Sequence, residues 1–137
     1  MVEVNFKDFI ISDDKEKLQI DKVCQLLNSS YWAEKRPKDI VEKSIENSIC
    51  FGIYHKNNQI GFARCVTDYA TVYWLADVII DDEYRKLGLG KALMEVIINH
   101  ELLKGCFAIL ATRDAHGLYE RYGFNLVNDK FMRKDVL

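Results

Sequence analysis

Trp74-Leu75-Ala76-Asp77-Val78-Ile79-Ile80-Asp81-Asp82-Glu83-Tyr84-Arg85-Lys86-Leu87-Gly88-Leu89-Gly90-Lys91 is the stretch on which the fold turns. Trp74 to Ile80 is apolar apart from Asp77, the composition of a strand buried on both faces. Asp81 to Tyr84 breaks that run, and Leu89, Ala92, Leu93, Val96 and Ile97 then recur at one face of a 3.6-residue period. The order is strand, turn, glycine-rich basic loop, helix.

Gly88 and Gly90 stand at the mouth of the helix. Lacking Cβ, they allow positive φ and close approach of a ligand to the backbone, where the first helical N–H groups have no partner within the helix. The helix dipole and the charges of Arg85, Lys86 and Lys91 make such a start suited to a pyrophosphate. The same residues are also compatible with a plain left-handed turn carrying solvated Lys and Arg. Two other phosphate loops are excluded. A P-loop ending at Gly90-Lys91 would need Gly at 85 and Ser or Thr at 92, where the chain has Arg and Ala. A dinucleotide turn would need a small residue at 93, which is Leu.

Outward from this core, the 137 residues fit one domain over 1–137, with 49% hydrophobic and 29% charged residues and a net charge of −2. That balance gives no general attraction to nucleic acid. No apolar run is long enough to span a membrane, and Met1-Val2-Glu3-Val4-Asn5 lacks a signal pattern, so the expected compartment is the cytoplasm. Cys24, Cys50, Cys65 and Cys106 are scattered without a C-x-x-C pair, which favours buried free thiols over disulfides or a metal site. In chain order the patterns predict a strand over 5–11, a helix from Leu18 to Asn28 and a second helix opened by Pro37. Strands follow at 49–55, 60–66 and 71–80. After the central helix come a strand at 106–111, a short helix to Tyr122, and a last strand or hairpin from 124–127 and 131–133. The layout is α/β.

Arg85-x-x-Gly88-x-Gly90 after a hydrophobic strand resembles the acetyl-CoA loop of the GCN5-related N-acetyltransferases (GNAT). Leu118-Tyr119-Glu120-Arg121-Tyr122-Gly123-Phe124 is similar to that family's Tyr-Glu-x-x-Gly-Phe signature, about thirty residues downstream. The resemblance implies a mixed central sheet with splayed middle strands, flanked by about four helices. It implies acetyl-CoA as cosubstrate, no metal, and transfer of the acetyl group to a primary amine of a small molecule or peptide through a tetrahedral intermediate. The pyrophosphate would lie on Arg85, Lys86, Leu87, Gly88, Leu89, Gly90 and Lys91, and the pantetheine arm along Val78 and Ile80, with a strand N–H near Val78 facing the oxyanion. Tyr119 matches the family's acid for the leaving thiolate, or else is a core aromatic. A homodimer is possible on the same grounds.

The base is a separate question. Asp77 is the ionisable residue of the buried run, and desolvation could make it one; the other reading is a partnered structural carboxylate. In histone-acetylating relatives a base Glu matches Trp74, and indole cannot take that role. Tyr31, Trp32, Glu34 and Arg36, between the early helices, are expected to face the acceptor, unless their aromatics merely staple the connector to the core. A non-catalytic acyl-CoA sensor of the same fold is the other function in view.

Overall fold

A computed structural model describes residues 1–136. Six strands, β1 (Glu3–Phe6), β2 (Phe9–Ser12), β3 (Ile49–His55), β4 (Asn58–Thr67), β5 (Val72–Ile80) and β6 (Phe107–Leu110), form one sheet in sequence order. Neighbours are antiparallel up to β5, and β6 pairs parallel to it. The helices are α1 (Ile20–Asn28), α2 (Lys38–Glu46), α3 (Leu89–Ile98) and α4 (His116–Glu120).

Two cores follow from the two faces of this sheet. Leu89, Leu93, Met94 and Ile97 of α3 and Tyr119 of α4 pack with Phe51, Ile53, Ala63, Tyr73 and Leu75. On the other side Val23, Leu26 and Leu27 of α1 and Val41 and Ile45 of α2 pack with Cys50, Phe62 and Ile79. Lys56 and Asn57, both at positive φ, form the two-residue loop between β3 and β4 that the hairpin twist favours. Pro37 is the N-cap of α2, extended at φ −64° and ψ 152°, one position earlier than its ring would prefer inside the helix.

Three expectations are corrected. The strand expected over 5–11 is a hairpin, because Lys7 takes φ 53° and turns the chain between Phe6 and Phe9. Leu18 and Gln19 precede the first helix, with Asp14 capping a short 3₁₀ turn at Lys15–Lys17 through the Glu16 amide. The last strand is absent. Residues 124–136 carry no strand, and Leu126, Val127, Phe131 and Met132 are exposed.

Candidate functional site

The loop before α3 is built as a backbone cradle. Gly88 is the N-cap at φ 84°, a left-handed conformation, and no side chain caps the amides that follow. Those donors are therefore free for a ligand. Side-chain charge is distributed differently from the sequence expectation: the Arg85 guanidinium turns back, donating from Nε to the Ile80 carbonyl and pairing with Asp82 at 2.9 Å. Leu89 is buried in the core, so only its backbone can serve the loop. Lys86 and Lys91 are exposed. The turn between β1 and β2 leans on the loop, with Lys7 Nζ donating to the Leu87 carbonyl at 3.1 Å.

Beside this loop the sheet opens. β6 pairs with β5 only from Val72 to Leu75, so Ala76 to Ile80 run on without a partner on that side. An open strand edge offers a regular row of backbone donors and acceptors to an extended ligand. Val78 and Ile80 lie on this free segment. A cleft of about 960 Å³ meets β5 at its paired part, lined among others by Trp74, Ala111, Tyr119, Phe124, Val127 and Phe131, and residues 76–80 do not line it. Residues 85–91 do not border that cleft. Tyr119 is 8% exposed. Burial, with the neighbouring Tyr31 and Asp114, pushes its phenol up to about 12, so it stays protonated at neutral pH.

Asp77 does not have the surroundings of a base. Its carboxylate accepts from Trp32 Nε1 at 3.0 Å, Arg36 at 2.8 Å and Arg64 Nε at 2.8 Å. Burial alone would raise its pKa, but the hydrogen bonds and charges of Arg64 and Arg36 outweigh it and hold the group below the usual carboxylate value. A carboxylate so saturated takes no proton from an amine near neutrality. Of the connector residues, Trp32 and Arg36 are thereby tied to β5. Tyr31 packs edge-on against Trp32 and lies under Arg113, whose guanidinium carbon is 3.8 Å from the ring centroid. Glu34 is exposed and does not join this group. Sequence reasoning missed Arg64 and Arg113; their partners lie 13 and 82 positions away, and no local pattern announces such pairs.

Residues 20–124 match the model of the acetyltransferase (GNAT) family. The chain belongs to that family. Among GNAT proteins of known structure, one from Xanthomonas campestris pv. campestris is 37% identical, with a TM-score of 0.90 over 96% of both chains. A candidate acetyltransferase of Gibberella zeae, FG08082, is 30% identical over 72% of this chain and 66% of its own length. The chloroplastic GCN5-related N-acetyltransferase 2 of Arabidopsis thaliana is 36% identical over 75% of this chain and 42% of its own. The chain thus spans about two thirds or less of these two relatives. No helix among its described residues is long and apolar enough to cross a membrane.

Proposed function

We propose that the protein transfers an acetyl group from acetyl-CoA to the primary amine of a small molecule or peptide. The observation that carries this reading is the free segment of β5 from Ala76 to Ile80, followed by the uncapped start of α3, with Tyr119 in the core against which Val78 and Ile80 pack. The amides from Arg85 to Lys91 would hold the diphosphate, with Lys86 and Lys91 adding charge. Val78 and Ile80 would pair with the pantetheine arm, whose thioester then reaches the cleft. Acetyl-CoA supplies the activated acyl carbon. The amine lone pair forms the C–N bond, a β5 amide near Val78 holds the oxyanion, and the C–S bond breaks with Tyr119 giving its proton to the departing sulfur.

In this reading the amine attacks unprotonated, with Asp77 occupied by Trp32, Arg36 and Arg64. The ammonium gives one proton to water before attack, and the nitrogen gives a second as the C–N bond forms, which returns through water to the Tyr119 phenolate left by protonation of the sulfur. That same occupied carboxylate is what favours the second reading, an acyl-CoA sensor without turnover. Four free thiols support the cytoplasm as the compartment. The test is a thermal shift with acetyl-CoA followed by thiol release in the presence of an amine panel. Stabilisation with amine-dependent thiol release is expected. Stabilisation alone would favour the sensor, and no stabilisation would overturn both readings.

A further inference from the structure

Resting on the CoA-site reading, we propose that Lys7 is a positioning residue of that site: from the turn between β1 and β2 it fixes the peptide joining Leu87 to Gly88, so that the Gly88 amide faces the diphosphate. Lys7 opens the two-residue turn between Phe6 and Phe9 and holds φ 53°, a left-handed backbone that glycine or asparagine takes at lower cost. Its Nζ donates to the Leu87 carbonyl at 3.1 Å and stands 5.2 Å from the Phe6 ring centroid. The same ring flanks Gly88, where an added Cβ would lie 3.5 Å from Phe6 Cζ. The hairpin that carries both side chains is firmly held. β2 pairs with β3 from Phe9 to Ser12, and just beyond it Asp13 accepts from the Val2 amide at 2.7 Å and meets His100 Nε2 at 2.9 Å. The hairpin thus reaches from His100, past the end of α3, to Leu87, before its start.

Peptide geometry turns that bond into a direction. In a planar trans peptide the C=O and the following N–H point to opposite sides, so a carbonyl held outward by Lys7 turns the Gly88 N–H the other way. The loop does not fix this orientation by itself. Gly88, at φ 84°, has no Cβ to penalise the alternatives, so the Leu87–Gly88 peptide can rotate at little cost and carry its donor out of line. Lys86 at φ 66° and Gly88 at φ 84° place left-handed residues on either side of Leu87, an alternation that gathers successive N–H groups into an anion-binding hollow. An ammonium on the carbonyl also polarises the peptide and strengthens its N–H as a donor. A loop held in this form spares the ligand the cost of ordering it on binding. Lys56 supplies the comparison within the same chain. It opens the two-residue loop between β3 and β4 at φ 49°, is exposed, and takes no part in the loop's hydrogen bonds among the described residues.

Titration calorimetry with acetyl-CoA and the full chain reads the effect without an acceptor. Lys7→Met bears the same left-handed cost as lysine, so the turn is kept, and it should raise the Kd for acetyl-CoA about tenfold, the low end for a hydrogen bond to a charged group. Lys7→Arg keeps a cationic donor on a stem of similar reach and should bring Kd back to within about threefold of the parent. Lys56→Met removes the same charge and should leave Kd within about twofold of the parent. Two further readouts separate alignment of the peptide from a general effect of charge. The loss in Lys7→Met should persist in about 0.5 M NaCl, where the field of an exposed ammonium is screened. In the proton–nitrogen correlation spectrum of the free protein, the Gly88 cross-peak should shift or broaden in Lys7→Met and stay in place in Lys56→Met. An unchanged Kd in Lys7→Met, an equal loss in Lys56→Met, a loss that vanishes in high salt, or a Gly88 amide that does not move would each overturn the proposal and leave the CoA site standing. Failure of the parent itself to bind acetyl-CoA would instead remove the CoA reading, and the part of Lys7 with it.

Discussion

Gly88 and Gly90 look alike in the sequence and should behave in opposite ways when each is replaced by alanine. Gly90 is the second residue of α3 with an ordinary helical backbone; an added Cβ would lie 3.5 Å from Leu118 Cδ2 and 4.0 Å from Ile80 Cδ1, normal contact distances. Alanine there removes the entropic penalty of a helical glycine, worth roughly 0.5–1 kcal/mol. Gly88 holds φ 84°, where a Cβ meets the carbonyl oxygen and costs about 1–2 kcal/mol; the nearest neighbour, Phe6 Cζ at 3.5 Å, adds little. For a chain of this size the expected changes in Tm are a rise of about 2–4 °C for Gly90→Ala and a fall of about 3–8 °C for Gly88→Ala. Acetyl-CoA should sharpen the contrast. Gly90→Ala keeps its backbone N–H and should keep the ligand-induced shift, which is about 2.7 kcal/mol at a hundredfold excess over Kd. Gly88→Ala pulls the loop out of its left-handed turn and should lose much of that shift, whereas Gly88→Asn, tolerant of this φ, should keep more. Differential scanning fluorimetry with and without acetyl-CoA reads all of these. Equal behaviour of the two alanine variants, or a Gly90→Ala that is destabilised and blind to acetyl-CoA, would refute the assignment of separate roles.

Tyr119→Phe should retain the acetyl-CoA thermal shift and slow amine-dependent thiol release by roughly 100-fold or more; release at the parental rate would exclude the phenol as the acid. With an acceptor of ordinary amine pKa, log kcat/KM should climb by about one per pH unit from 7 to 9, following the free amine. No downturn should appear there, because the Tyr119 phenol is pushed up to about 12; a plateau setting in near pH 5 would restore a carboxylate base. Asp77→Asn leaves Arg64 and Arg36, whose side chains keep 15% and 23% exposure, without their counter-charge and should cost about 2–3 kcal/mol at pH 7. Because the folded pKa of Asp77 is depressed, its contribution is present above the usual carboxylate value of 3.8 and fades as pH falls through the folded one. Parent and variant should therefore converge in urea titrations carried into acid. In the native protein iodoacetamide at pH 8 should label Cys24 and Cys106 ahead of Cys50 and Cys65, whose thiols burial pushes up to about 12; labelling of Cys65 first, read by peptide mass, would contradict the packing of the sheet.

Legibility followed the range of the physical signal. The α3 face, the strand at 49–55 and the apolar run ending at Ile80 were readable because each is a local periodicity that the sheet and its helices preserve. The hairpin at the start of the chain was not, since Lys7 turns it without a glycine or asparagine at that position. The apolar residues of 124–133 have strand composition, but composition cannot say whether a partner edge is in reach, and here Phe131 stacks on Trp74 instead. In the site, the glycine loop and Tyr119 were visible as motifs. The role of Asp77 was not, because a lone carboxylate in an apolar run reads as a base or as half of an ion pair until its partners are known, and those came from the connector and from β4.

Asp77 also settles which side chains of β5 face which layer. Strict alternation would put residues 73, 75, 77 and 79 on one face. Yet Tyr73 and Leu75 belong to the core under α3, while Ile79 belongs to the core under α1 and α2, and Val78 and Ile80 have taken over the α3 side. The inversion happens at Asp77, which holds φ 55° where the register with β4 shifts between Phe62 and Arg64. A non-glycine residue in the left-handed region costs of order 1–3 kcal/mol and persists only where its surroundings over-determine it. Three donors from two segments do so here, and the bulge they maintain lies just past Leu75, where β6 ceases to pair. The carboxylate therefore shapes the strand: with it in place, Val78 and Ile80 run along the opened edge on the α3 side while Trp74 lines the cleft. Arg64→Lys, which keeps a charge but loses the planar fork, should weaken this hold less than Asp77→Asn, and the two losses should not add, since both release the same bulge. Additive losses in a double-mutant cycle would show that Arg64 and Asp77 act apart, and the bulge would then need another cause.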